Sequence, residues 1–425
     1  MRTRIGPIAI GLCAAALAFL AEAAVTAQES NPFDEGAFDA ATASPTDPAS
    51  TSSVAAAEAA KTEYLVGGSA LISAASFFPA SLDGYAVSGS AVGKLFGKVS
   101  VPDFGSLYMS YYITQAFFEA RGGSGAAALA PALDLSSPSY ALGELFYSFD
   151  FGKKLFVRIG KQLLAWGPSR IWSPVDFVNA QRENFFSSLD LRQGEPGLKL
   201  FLPLGKASAI LFTDFSDLVV RDPATGSVST AGFDATRVAA RLDATVAGFE
   251  LGLSGFAASS AQAKAGFDFS GDFLGSAVYG ELSLAPAYSS YAASYSASLG
   301  LSRVLGDLKR WTISAEAFYE SAGAAYIGDA AAMASLQPLY IGKYYGYLSL
   351  QDRELFSPSL ATSLYALANF SDLSYSINLK EDFSFPRVPP FSLNLSYAGG
   401  GTGKEFTYLA GDGSLSLSAQ TLIEF

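Results

Sequence analysis

"GSLSLSAQTLIEF", Gly413 to Phe425, alternates from end to end. Leu415, Leu417, Ala419, Thr421, Ile423 and Phe425 fall on one side of an extended chain; Ser414, Ser416, Ser418, Gln420 and Glu424 fall on the other. A period of two marks a strand with one apolar and one wet face. The same texture returns in "SYALGELFYSFDF" (139–151), "YAASYSASLGLS" (291–302), "DLSYSINLK" (372–380) and "FSLNLSY" (391–397). In the first of these Leu145, Tyr147, Phe149 and Phe151 oppose Glu144, Phe146, Ser148 and Asp150. Serine and glycine are plentiful inside these strands, which suits a wall facing water better than a tight sandwich core.

Composition narrows the compartment. Arg2 and Arg4, the apolar run Ile8 to Leu20 and the small residues Val25-Thr26-Ala27 read as a secretory signal over residues 1–27. Cys13, the single cysteine, lies inside it behind Leu12, where a lipoprotein signal wants a small residue. The segment 28–63 is rich in Ala, Ser, Thr, Pro and Asp and reads as a flexible periplasmic leader, with a strand-built domain over 64–425.

The chain holds no histidine, and its one cysteine falls in the signal, so histidine-based hydrolases, thiolate metal sites and disulfides are excluded from the mature protein. The expectation is a non-enzyme with no cofactor and no metal. Lys+Arg 27 against Asp+Glu 39 gives a net charge of −12, which argues against nucleic acid as a partner. Half the residues are hydrophobic, yet no apolar run long enough for a spanning helix follows the signal. High hydrophobicity without such helices leaves two options, a large buried core or a membrane protein that spans as strands.

Eighteen segments carry the alternation, near 64–74, 84–98, 105–121, 139–151, 153–164, 196–204, 206–216, 235–247, 248–259, 262–270, 273–285, 291–304, 309–321, 341–352, 359–370, 372–382, 390–399 and 414–424. The fold expected is all-β: a closed antiparallel transmembrane barrel of about eighteen strands, with sixteen as the alternative. Short turns are predicted at Gly152-Lys153, 204–206, Gly248-Phe249, Gly271-Asp272 and Gly306-Asp307; long loops at 122–138, 165–195, 217–234, 322–340 and 400–413. The two kinds sort onto opposite ends, as outer-membrane barrels require.

The terminal stretch resembles the last strand of bacterial outer-membrane barrels, which ends on an aromatic residue. That resemblance implies that Phe425, Ile423, Leu417 and Leu415 are read by the barrel assembly machinery, with outer-membrane lipid as the other partner. A second likeness lies in "RIGKQLLAWGPSRIWSPVDFVNA". Arg158, Gly160, Gln162, Trp166, Gly167, Arg170, Pro174, Asp176 and Asn179 resemble a pattern in porin-like barrels of the alginate-export and related families. The likeness implies a channel.

Parity gives a bore-facing set: Arg158, Gln162, Lys199, Arg237 and Arg241, with the acids Glu144, Glu281 and Glu316. A charge facing lipid at mid-depth costs about 2–4 kcal/mol for Lys or Arg. Lys161 alone falls on the lipid side, so it either snorkels to the outer interface or marks a bulge. The 165–195 loop, stiffened by Trp166, Trp172 and two prolines and carrying Arg170, Asp176, Arg182 and Arg192, is expected to fold inward as a constriction. Basic residues gather on strands 5 to 8 and Glu281 and Glu316 further round, as either the solvated, unselective half of an amphipathic wall or a transverse field favouring polar or anionic solutes. The function expected is passive diffusion of small hydrophilic solutes, anionic ones included. A carrier of hydrophobic compounds and a non-transporting adhesin or structural barrel are the alternatives. Assembly into a homo-oligomer is left open.

Overall fold

A computed structural model describes residues 62–82, 84–122, 138–179, 188–221, 228–230, 236–258, 261–287, 292–306, 310–324, 340–407 and 412–425. The signal and most of the leader lie outside these residues. Eighteen antiparallel strands pair in chain order, and the last pairs with the first, so the sheet closes without an edge. They are β1 (Glu63–Pro79), β2 (Gly84–Val101), β3 (Gly105–Gly122), β4 (Ser139–Phe151), β5 (Leu155–Gln162), β6 (Glu195–Pro203), β7 (Ala207–Asp214), β8 (Arg237–Val246) and β9 (Phe249–Ala257). The circuit continues with β10 (Lys264–Phe273), β11 (Ser276–Ala285), β12 (Ser294–Leu305), β13 (Trp311–Glu320), β14 (Tyr344–Asp352), β15 (Leu360–Asn369), β16 (Ser374–Phe383), β17 (Phe391–Gly399) and β18 (Gly413–Glu424). A hairpin of Val219–Arg221 with Val228–Thr230 sits apart in the β7–β8 connection.

Closure follows from the terminal strand. Its register against β1 runs from Ser69↔Glu424 to Pro79↔Ser414, and Gly68 and Phe425 exchange backbone bonds of 2.8 and 2.9 Å. Every backbone group of a strand in lipid needs such a partner, and only a closed sheet supplies one all round. The faces alternate as the sequence implies. Leu145, Tyr147, Ile159, Leu253, Leu299, Leu348, Leu395 and Leu417 stand exposed on the outside, while Phe146, Phe201, Phe212 and Phe318 point inward and are buried.

Long connections gather at one end, which includes 163–194 and 321–343; the short turns, the start of β1 and the end of β18 gather at the other. Some expected boundaries move. The chain does not turn at Gly271-Asp272: β10 continues to Phe273, and the turn falls at Leu274-Gly275, with φ of 51° and 74°. A Cβ on Gly271 would lie 2.5 Å from the Phe249 ring, so this glycine makes room for a side chain. The first strand also runs on to Pro79. The β3–β4 register shifts between Ser110 and Tyr111, where Gly143 is an extra residue.

Candidate functional site: the loop across the bore

The segment 163–194 leaves the wall at the end of β5. Gln162 is fully buried, with its Nε2 toward the Arg158, Gly160 and Gly197 carbonyls at 3.4–3.5 Å. Leu163 N–H donates to the Glu144 carboxylate at 2.8 Å, so this predicted bore acid clamps the base of the loop. The loop then crosses inward. Leu164, Trp166, Val175, Phe177 and Val178 bury against Phe212 of β7, Ala239 of β8 and Phe256 of β9. Five apolar side chains at about 1.5–3 kcal/mol each give the crossing a substantial anchor.

Two carboxylates on the far wall hold the tip. Glu281 of β11 accepts Ser169 N–H at 2.8 Å and Val175 N–H at 3.1 Å. Glu316 of β13 accepts Arg170 N–H at 3.1 Å, Ile171 N–H at 3.2 Å, Trp172 N–H at 2.9 Å and the Tyr279 hydroxyl at 3.0 Å. Successive amides aimed at one anion form a charge-assisted nest. Ser169 and Ser298 hydroxyls meet at 2.7 Å. Gly167 makes the approach possible: its φ is +92°, and a Cβ there would lie 2.3 Å from Glu281 Oε1. Trp172 is wholly buried, stacked on Phe318 at 5.6 Å and 7° and edge-on to Tyr340. It also meets Tyr345 of β14, nine places round an eighteen-strand ring from β5, so the loop reaches the opposite wall.

The return limb touches the bore elsewhere. Gln420 Nε2 of β18 donates to Ser188 Oγ at 2.8 Å, Tyr112 OH of β3 donates to Asp190 O at 3.1 Å, and Gly194 N–H donates to Gly143 O at 3.0 Å. Arg192 is buried and forks onto Asp190 at 2.7–3.1 Å, with Asp176 at 3.9 Å. Asn179 Nδ2 donates to both Asp176 oxygens at 2.8 Å and to Leu164 O, closing the loop on itself. Arg182 lies outside the described residues.

Most of the expected charges that lie among the described residues have partners. Arg237 pairs with Asp214 at 2.7 Å, and Arg241 forks onto Asp268 at 2.6 and 2.8 Å while its Nε meets Asp243 at 2.7 Å. Arg158 lies over the Phe146 ring at 4.1 Å and bonds Ser148 Oγ at 3.2 Å; its register partner across the wall is Lys199, which is buried. The two walls of opposite sign therefore do not stand open to one another: Glu281 and Glu316 are engaged by loop amides, and Arg237 and Arg241 by neighbouring acids. Arg170 differs. Its side chain is exposed, its Cζ is 6.0 Å from the Tyr279 ring, and with Arg192 and Lys264 it lines a cavity of about 280 Å³ between loop and wall. Lys161 snorkels, its Nζ donating to Leu142 O at 2.6 Å and Gln193 Oε1 at 2.9 Å.

Sequence parity did not reach Glu405, in the last long loop. Buried at 6 % exposure, it accepts Tyr340 and Ile341 N–H at 2.5 and 3.3 Å, Tyr345 OH at 2.5 Å and Asn369 Nδ2 at 2.6 Å. Its own N–H donates to Asp372 at 2.8 Å. Burial pushes the Glu405 carboxyl up from its ordinary value, against the pull of those four donors. This glutamate thus ties 400–407 to the foot of the 321–343 loop and, through Tyr340 and Tyr345, to Trp172. Among the described residues no group of three or more acids is arranged to hold a metal ion.

No family model matches the chain, and no curated protein matches it by sequence. Solved structures do match in fold. A BenF-like porin from Pseudomonas fluorescens aligns with a TM-score of 0.57 at 10% identity, over 85% of this chain and 99% of that one. Pseudomonas aeruginosa OpdK, solved with vanillate, gives 0.55 at 10% identity over 85% and 99%. OccK5 (OpdH) of the same species gives 0.52 at 8% identity over 85% and 98%. The architecture is that of a porin-like eighteen-strand barrel, and these likenesses lend no support to the alginate-export comparison suggested by the Arg158–Asn179 pattern.

Proposed function

We propose that the chain is an outer-membrane channel through which small hydrophilic solutes diffuse passively. The observation that carries the reading is the loop itself: a closed tube whose bore is crossed by a rigidly anchored, polar-tipped segment is built to pass solutes of limited size. Its greasy exterior fits outer-membrane lipid, and a strand that closes the seam at Phe425 fits recognition by the barrel assembly machinery. Arg170 and the cavity it lines offer a place for an anion preference, whereas Arg192, Arg237 and Arg241 each carry their own acids. Among the described residues, the inward rings of Phe146, Phe318 and Tyr345 are covered and not lined up for apolar cargo. Phe318 and Tyr345 lie under Trp172, and Phe146 lies under the Arg158 guanidinium.

Single-channel recording of the purified full chain in a planar bilayer tests it. Stepwise ohmic conductance is expected. Silence from protein that still shows heat-dependent gel mobility would contradict the channel and favour an adhesin or structural barrel.

A further inference from the structure

The anchored loop covers one side of the bore and leaves the other, and the two sides differ chemically. Where the loop docks, the inward hydroxyls Ser254, Ser283, Ser296, Ser298 and Ser314 are buried. On the wall of β16, β17 and β18 the inward side chains Ser392, Asn394, Ser396, Ser416, Ser418 and Gln420 stay half-buried, while Asn378 beside them is buried. The paired strands bring them into rungs. One rung reads Asp382, Ser392, Gln420, Ser73 and Ser90; the next reads Lys380, Asn394 and Ser418; a third reads Asn378, Ser396 and Ser416. Hydrogen bonds join Ser73 to Ser90 at 2.8 Å and Ser392 to Asp382 at 2.5 Å, and Asn378 bonds its strand neighbour Ser376 at 2.9 Å. The charged pair among these rungs, Lys380 with Asp382, closes on itself at 2.9 Å.

We propose that this wall is a neutral hydroxyl lane that selects uncharged polyhydroxylated solutes, of the sugar and sugar-alcohol class, over carboxylates of equal size. The inference rests on the channel reading above. Serine hydroxyls and Asn and Gln amides both donate and accept, so they replace the two-way hydrogen bonds that a polyol exchanges with water. A carboxylate entering these rungs gives up hydration that only an opposite charge would restore, and the cation within them, Lys380, already meets Asp382. Gln420, held by Ser188 of the loop, marks where lane and constriction meet.

The test uses the full chain in liposomes, comparing osmotic entry of a hexose, its sugar alcohol and the corresponding hexuronate at neutral pH. The neutral solutes are expected to enter several times faster than the acid. The Ser396→Ala/Ser416→Ala/Ser418→Ala variant should slow hexose entry by about threefold or more, the scale of one or two net hydrogen bonds, with salt conductance little changed. The Ser396→Asp/Ser418→Asp variant should swing the reversal potential in a salt gradient toward cations. Faster entry of the hexuronate, or an unmoved reversal potential in the conducting aspartate variant, would overturn the lane. Absence of any conductance in the wild-type barrel would instead overturn the channel reading on which it stands.

Discussion

Replacing Glu316 with glutamine keeps the side chain's shape and removes its charge, and the consequence can be worked from its four donors. The carboxylate accepts three successive loop amides at 2.9–3.2 Å and the Tyr279 hydroxyl at 3.0 Å. A glutamine has one accepting oxygen, and its NH₂ would face N–H groups. About two charge-assisted bonds are lost, each worth about 1.5–3 kcal/mol. Taking the lower end, about 3 kcal/mol moves the docking equilibrium of the loop by more than about 100-fold. The Trp172 stack and the apolar anchor around Trp166 remain, so the barrel should persist, with its heat-dependent mobility intact. Single-channel recording should show higher or strongly fluctuating conductance, and trypsin should cut at Arg170 faster than in wild type. Unchanged conductance together with unchanged cleavage would refute the reasoning, because Glu316 would then be an ordinary wetted wall residue.

Three further outcomes follow from the same geometry. Gly167→Ala places a methyl on a backbone with φ of +92° and 2.3 Å from Glu281 Oε1, so it should release the loop and raise conductance without unfolding the barrel, as read by bilayer recording. Arg241→Leu strands Asp268, which is buried, and should lower stability in urea by about 3 kcal/mol; the double variant with Asp268→Leu should recover most of it. For Glu405 the sign is that of an acid whose pKa is raised by docking. Its contribution is complete below the ordinary carboxylate value and fades as pH rises through the raised one. Conductance noise should therefore grow from acidic to neutral pH, and Glu405→Gln should abolish that pH dependence.

The wall was legible because its period is imposed by the membrane: outward Leu417 and inward Ser416 belong to different solvents, and the sequence must alternate to satisfy both. Glycine misled at Gly271, where it serves the Phe249 ring and not a turn. Inward charges such as Arg241 could be read from parity. Their partners could not, because Asp268 stands two strands away and meets Arg241 only once the register across β9 is fixed. The inward course of the 163–194 loop was suggested by its tryptophans, but the roles of Glu281 and Glu316 as its anchors were hidden, since a carboxylate on a wet wall and one holding amides look alike in one dimension. Glu405 gave no signal at all: it sits among Gly400, Gly401 and Gly403 without periodicity, and only the folded loop carries it to Tyr345 and Asn369.

The central claim is that a loop rooted at β5 lies docked on the far wall of the bore. Ser169 of the loop and Ser298 of β12 have hydroxyls 2.7 Å apart, and the mature chain is expected to carry no cysteine. The Ser169→Cys/Ser298→Cys variant, oxidised mildly in its membrane, is therefore the most direct measurement. The account predicts a near-complete intramolecular disulfide and a conductance that stays at the wild-type level. Two thiols that both remain open to maleimide in the folded barrel would contradict it.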